Sequence, residues 1–164
     1  MKTLFSFPDP VNEVSARLVA TGVVLLTLTL LLTTTPWLLW PLTYGFVARA
    51  LTGPTLSPLG QFITRVVTPA APFAVKDVPG PPKRFAQAIG ATLSAAALVA
   101  HTVFGATTLA YVLVAMITAA ASLEAFVGYC LGCKIFGLLM RAGVIPEEIC
   151  EACNDLSRSP AFAQ

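Results

Sequence analysis

Two stretches of this chain run without charged side chains for long enough to cross a bilayer twice each. No Asp, Glu, Lys or Arg stands between Arg17 and Arg49, and between Arg84 and Lys134 the only one is Glu124. Each gap predicts a pair of helices joined by a tight hairpin. The first span is expected over 18–34, almost pure Leu, Val and Thr, and Thr35-Pro36 makes its outer turn. The second, over 37–51, is short against the ~20 residues a hydrocarbon core requires. The third is expected over 85–104, and Gly105-Ala106 leads into the fourth over 107–130. Asp9-Pro10 reads as an N-cap with proline at the first helical position. Glu13 and Arg17 then stand four apart, an i,i+4 pair in the favourable order.

The loop between the two hairpins, residues 52 to 84, is rich in proline and glycine but carries a helical pattern of its own. Ser57-Pro58 caps it, and Leu56, Leu59, Phe62, Ile63, Val66 and Val67 fall on one face until Pro69 ends it. Such a helix lies flat at a membrane interface or packs on the bundle as an ordinary amphipathic helix. Small residues recur four apart in Gly90-x-x-x-Ser94, Ala121-x-x-x-Ala125 and Gly128-x-x-x-Gly132, a spacing that lets backbones approach in lipid and that Ala-rich spans also produce by chance. Pro146-Glu147-Glu148 reads as the start of a short C-terminal helix. The expected organisation is therefore a four-span membrane domain, 1–142, followed by a C-terminal appendage, 143–164.

Composition agrees. Charged residues make up 11% of the 164, against about 25% in soluble domains, and the mean hydropathy is +0.80, which belongs to an integral membrane protein. A net charge of +2, widely dispersed, argues against nucleic-acid binding. No cleavage motif follows the first apolar run, so a removable signal peptide is not expected. All ten cations (Lys2, Arg17, Arg49, Arg65, Lys76, Lys83, Arg84, Lys134, Arg141 and Arg158) fit on one side of a four-helix bundle. By the positive-inside bias that side is the cytoplasm, with both termini on it and the protein in the inner membrane. Trp37 and Trp40 suit the outer interface.

The four cysteines share the cytoplasmic side. Cys130-Leu-Gly-Cys133 and Cys150-Glu-Ala-Cys153 repeat a C-x2-C spacing that suits paired thiols or a metal. On a helix running on to about Arg141, with an antiparallel return after Gly143, Cys153 comes roughly level with Cys133, and four sulfurs converge. Stable structural disulfides are disfavoured in a reducing compartment. Three readings stay open: a tetrathiolate zinc or iron–sulfur site on Cys130, Cys133, Cys150 and Cys153; a thiol–disulfide or persulfide relay; and inert buried thiols. Cys130 and Cys133 are the candidate reactive pair, with Lys134 adjacent to favour a thiolate, and Cys150 and Cys153 are auxiliary thiols. Glu124, ~9 Å from Cys130 along the helix axis, is either a proton carrier or a polar anchor paired with Arg17, Arg49 or Arg84. His101, near the outer end of the third span, reads as an interfacial hydrogen-bonding residue. No haem-attachment motif, phosphate-binding glycine loop or Ser/His/Asp set occurs.

Asp9-Pro10-Val11-Asn12, Leu56-Ser57-Pro58-Leu59, Gly80-Pro81-Pro82-Lys83-Arg84-Phe85-Ala86 and Leu123-Glu124 ahead of Cys130-Leu131-Gly132-Cys133 resemble an uncharacterised family of small bacterial membrane proteins known as a domain of unknown function. The resemblance covers about residues 8 to 140. It implies a four-span bundle, implicates Cys130 and Cys133 with the second pair outside the family core, and points to sulfur metabolism with a soluble thioredoxin- or rhodanese-like partner. No reaction and no cofactor follow from it. The functional expectation is a cytoplasm-facing dithiol exchanging electrons or sulfane sulfur with such a partner. The rivals are an accessory subunit of a larger membrane complex with a four-cysteine zinc or iron–sulfur site and, third, a component of a small-solute transporter.

Overall fold

A computed structural model describes residues 9–70, 77–146 and 149. The architecture is helical except for one two-residue antiparallel ladder, in which β1 (Val11–Asn12) pairs with β2 (Asp77–Val78). Seven helices follow in chain order among the described residues: α1 (Glu13–Thr33), α2 (Leu39–Thr52), α3 (Pro58–Phe62), α4 (Thr68–Ala70), α5 (Gly80–Thr102), α6 (Thr107–Ser122) and α7 (Leu131–Arg141). Three helical segments are long and apolar enough to cross a membrane: Glu13–Thr33, Gly80–Thr102 and Thr107–Val127. The helix expected as the second span has 14 residues, preceded by a 3₁₀ turn over Pro36–Leu38.

α1 starts later than Asp9-Pro10 suggests. Residues 11 and 12 are spent on the ladder to β2, so Asn12 becomes the cap, its Oδ1 accepting from the amides of Val14 (2.9 Å) and Ser15 (3.4 Å). Asp9 accepts instead from the Gly80 amide at 3.0 Å, serving the start of α5. At the other end of α1, Thr34 takes the left-handed conformation and Thr35-Pro36 turns the chain, as its sequence predicts.

α1, α2, α5 and α6 pack around Val23, Leu30, Leu39, Leu42, Phe46, Ala97, Ala100, Ala110, Val114 and Ile117. The interior also takes polar and small side chains. Thr27 and Ser94 are fully buried, and Thr27 turns its hydroxyl back to the carbonyl of Val23 at 2.9 Å. Gly90 lies against the Phe46 ring, where a Cβ would collide. Large apolar side chains such as Leu25, Leu32, Val99, Val112 and Met116 point outward. Small residues at helix contacts, as at Gly90 against Phe46, suit packing in lipid, where close backbone approach helps join helices.

The amphipathic segment in the central loop forms as its pattern predicts. Ser57 caps it, accepting from the Gly60 amide at 3.2 Å. A π-helical turn over Ile63–Val67 carries the helix into α4, past the proline expected to end it. Leu59 packs onto Gly22 and Ile63 is buried, whereas Phe62 and Val66 are exposed.

Candidate functional site

Contacts gather the cations of the helix ends. Arg17 of α1 donates through Nε and Nη2 to the carbonyls of Ala125 and Phe126 at 3.2–3.3 Å, where the helix that starts as α6 finishes. Arg84 of α5 donates to the Ala50 carbonyl near the end of α2 at 3.0 Å. Both guanidiniums thus sit where a helix presents unsatisfied carbonyls and partial negative charge. Each ties the first turns of one helix to the last turn of a neighbour.

Glu124 lies in a π-helical turn, Leu123–Val127, that prolongs α6. Its carboxylate meets Lys83, not Arg17, Arg49 or Arg84: Lys83 Nζ stands 2.5 Å from Oε1, with the two side chains 10% and 14% exposed. Lys83 is in the first turn of α5, so the pair joins the start of one long helix to the end of another. Arg49 forms no carboxylate pair among the described residues; its Nε donates to Gln87 Oε1 at 2.9 Å and its Nη1 to Ser57 Oγ at 3.2 Å. His101, at the opposite end of α5, is held by Thr107 Oγ1 at 3.2 Å, a hydrogen-bonding role as expected.

The cysteine pair does not continue the helix that carries Glu124. Gly128 adopts φ +75°, the left-handed conformation that closes a helix at little cost for glycine. Cys130 then takes an extended conformation and becomes the N-cap of α7, its Sγ accepting from the Cys133 amide at 3.3 Å. A sulfur here occupies the place that Ser or Asp fills in ordinary caps. Cys133 lies one turn in, and the two are joined by a disulfide with Cα atoms 5.2 Å apart, inside the usual bridging range. The two glycines of Gly128-x-x-x-Gly132 consequently do different jobs. Gly128 turns the chain, while Gly132 presses α7 onto α5: a Cβ on it would stand 2.6 Å from Cα of Ala86.

α7 is held further by Phe136, whose ring centroid is 5.6 Å from that of Phe85, and by buried Met140. Leu131, Ile135 and Leu138, at i, i+4 and i+7, form an exposed apolar stripe on another face. Lys134 lies over the Tyr129 ring, 5.4 Å from its centroid. Among the described residues no group of three or more potential metal ligands occurs. Cys150 and Cys153 lie outside the described residues, and with them the expected four-sulfur convergence.

A family model for a domain of unknown function, DUF4395, matches residues 11–141, from β1 to the last residue of α7. The chain belongs to the DUF4395 family. The DUF4395 region takes in the Lys83–Glu124 pair and the Cys130–Cys133 bridge and stops short of the second cysteine pair. No curated protein and no solved structure matches the chain.

The pairing of Lys83 with Glu124 and the break at Gly128 are the features that reading the sequence misses. The break had a signal: a glycine just after an apolar periodic run. The ion pair had none, because the choice among four neighbouring cations depends on how far each helix reaches.

Proposed function

We propose that this DUF4395 protein is a four-span protein of the bacterial inner membrane, with both termini in the cytoplasm, whose Cys130–Cys133 pair exchanges electrons or sulfane sulfur with a soluble protein. The observation that carries the reading is the bridge at the start of α7, with Cys130 as the cap. A reduced Cys130 in that position has the Cys133 amide and the positive end of a helix to stabilise its thiolate, which is how reactive cysteines are tuned. The fourth span is α2 with its preceding turn, and the basic helix ends set the orientation. The Leu131/Ile135/Leu138 stripe suits a helix lying at the membrane surface.

Cys130 is the nucleophile and Cys133 the resolving thiol. In the oxidised state a partner thiolate attacks Sγ of Cys130, the Cys133 thiolate leaves, and a second partner thiol displaces Cys130. Two electrons and two protons thereby move to the bridge, and the partner leaves as a disulfide. With a persulfide donor, the Cys130 thiolate takes the outer sulfur and the donor departs as a thiolate. An acceptor thiolate on the partner then takes that sulfur from Cys130.

The test uses the full chain in native membranes and after purification. Reduction should expose two alkylatable thiols at 130 and 133, and reoxidation should close them. Cys133→Ala should accumulate a mixed disulfide with a soluble protein, while Cys130→Ala should not. One zinc per chain with all four thiols protected from alkylation would refute the relay in favour of a metal clamp. Labelling of Cys130 or Cys133 by an impermeant maleimide added outside intact cells would reverse the orientation.

A further inference from the structure

A cavity of 220 Å³ opens among the charged helix ends, walled mostly by apolar residues such as Val11, Val19 and Pro54, with Arg49 of α2 and Lys83 and Gln87 of α5 among its polar members. Arg49 is its distinctive group. The residue is only 6% exposed, yet its two hydrogen bonds go to neutral oxygens, Gln87 Oε1 and Ser57 Oγ. A guanidinium has five N–H donors, so most of its capacity is unused among the described residues. No described carboxylate stands within ion-pair distance, because Glu124 is held by Lys83. Glu124 acts on Arg49 only through space, and no described carboxylate oxygen bonds its guanidinium.

The surroundings are cut to hold this charge rather than to neutralise it. Gly45, one turn back on α2, leaves room for the head group: a Cβ there would come 3.1 Å from Nη1. The Phe46 ring lies 4.8 Å from the guanidinium carbon and supports it from one side. α1 begins at this cavity, so the positive end of a helix of more than twenty residues faces it. Its first amides are partly satisfied by Asn12, which leaves the field without consuming the Arg49 donors.

We propose that the cavity is a binding site for one phosphate-type oxyanion, coordinated by the free edge of the Arg49 guanidinium with Lys83 beside it. A tetrahedral phosphate or phosphodiester matches that planar fork. The same chemistry is carried by an anionic phospholipid headgroup and by free inorganic phosphate.

The experiment separates the two sources. The delipidated full chain in neutral detergent is titrated at constant ionic strength, once with short-chain phosphatidylglycerol and once with inorganic phosphate. Stoichiometry is read by native mass spectrometry and affinity by the shift in thermal unfolding. Arg49→Gln should weaken binding about tenfold to a hundredfold, the loss of charge-assisted hydrogen bonds. Ala16→Leu fills the cavity while leaving Arg49 and its partners in place, should abolish binding, and decides alone if Arg49→Gln fails to accumulate. One lipid bound per chain and lost in the variants, with no response to phosphate, assigns a headgroup site. One phosphate bound and lost in the variants assigns a free-anion site. Absence of binding to the unmodified chain, or equal binding by the variants, overturns the proposal.

Discussion

Removing Glu124 strands a lysine. Lys83 and Glu124 are 10% and 14% exposed and 2.5 Å apart, so Glu124→Ala leaves an ammonium buried between α5 and the end of α6 with its partner gone. Breaking a buried pair on one side costs about 3–5 kcal/mol. At ~2–4 °C per kcal/mol for a chain of about this size, the midpoint should fall by roughly 10 °C. Replacing both residues, Lys83→Met with Glu124→Leu, removes the charge and the penalty together, and most of the stability should return. The assay is a double-mutant cycle on the detergent-purified chain, by reversible denaturant unfolding in the absence of phosphate-bearing lipid. A coupling of at least ~2 kcal/mol is expected. Single variants that each lose less than ~1 kcal/mol, or a double variant as unstable as the sum of the singles, would refute the anchoring role of Glu124.

Three further outcomes follow from the glycines. Gly132→Val places atoms against the Ala86 backbone, which cannot yield as a side chain can; hydrogen exchange over residues 131–141 should accelerate, whereas Gly137→Ala on the same helix meets open space and should hold or gain up to about 1 kcal/mol. Gly90→Ala should cost ~1–3 kcal/mol by overpacking against Phe46, and Phe46→Leu in the same chain should recover part of the thermal stability. Gly128→Ala forces a left-handed conformation on a residue with a Cβ and should cost ~1–2 kcal/mol, with Gly128→Asn milder, both read as unfolding midpoints.

The long helices could be read directly because their signal is local: a run of apolar residues of span length needs no knowledge of its neighbours, as at Glu13–Thr33 and Thr107–Val127. The same holds for the Ser57-Pro58 start of α3 and for the cysteine spacing. What escaped was set by contacts distant in sequence. Asn12 rather than Asp9 caps α1 because residues 77–78 pair with 11–12, and no pattern near residue 10 announces that. Gly128-x-x-x-Gly132 resembled a packing face, but only tertiary structure shows that one glycine bends the chain and the other touches Ala86. Arg49 reads from sequence as one cation among ten on the cytoplasmic side or as a partner of Glu124; it turns instead to Ser57 and Gln87, with Gly45 leaving room for its head group.

The tight seam between Gly132 and Ala86 constrains how the sulfurs can be approached. With α7 clamped to α5 there, and Phe136 against Phe85 a turn beyond, the Cys130–Cys133 bridge rides on no swinging arm. In the exchange proposed above, a partner would have to bring its own thiol to the edge around residues 130 and 133. Selectivity in that exchange would be a matter of shape around the bridge.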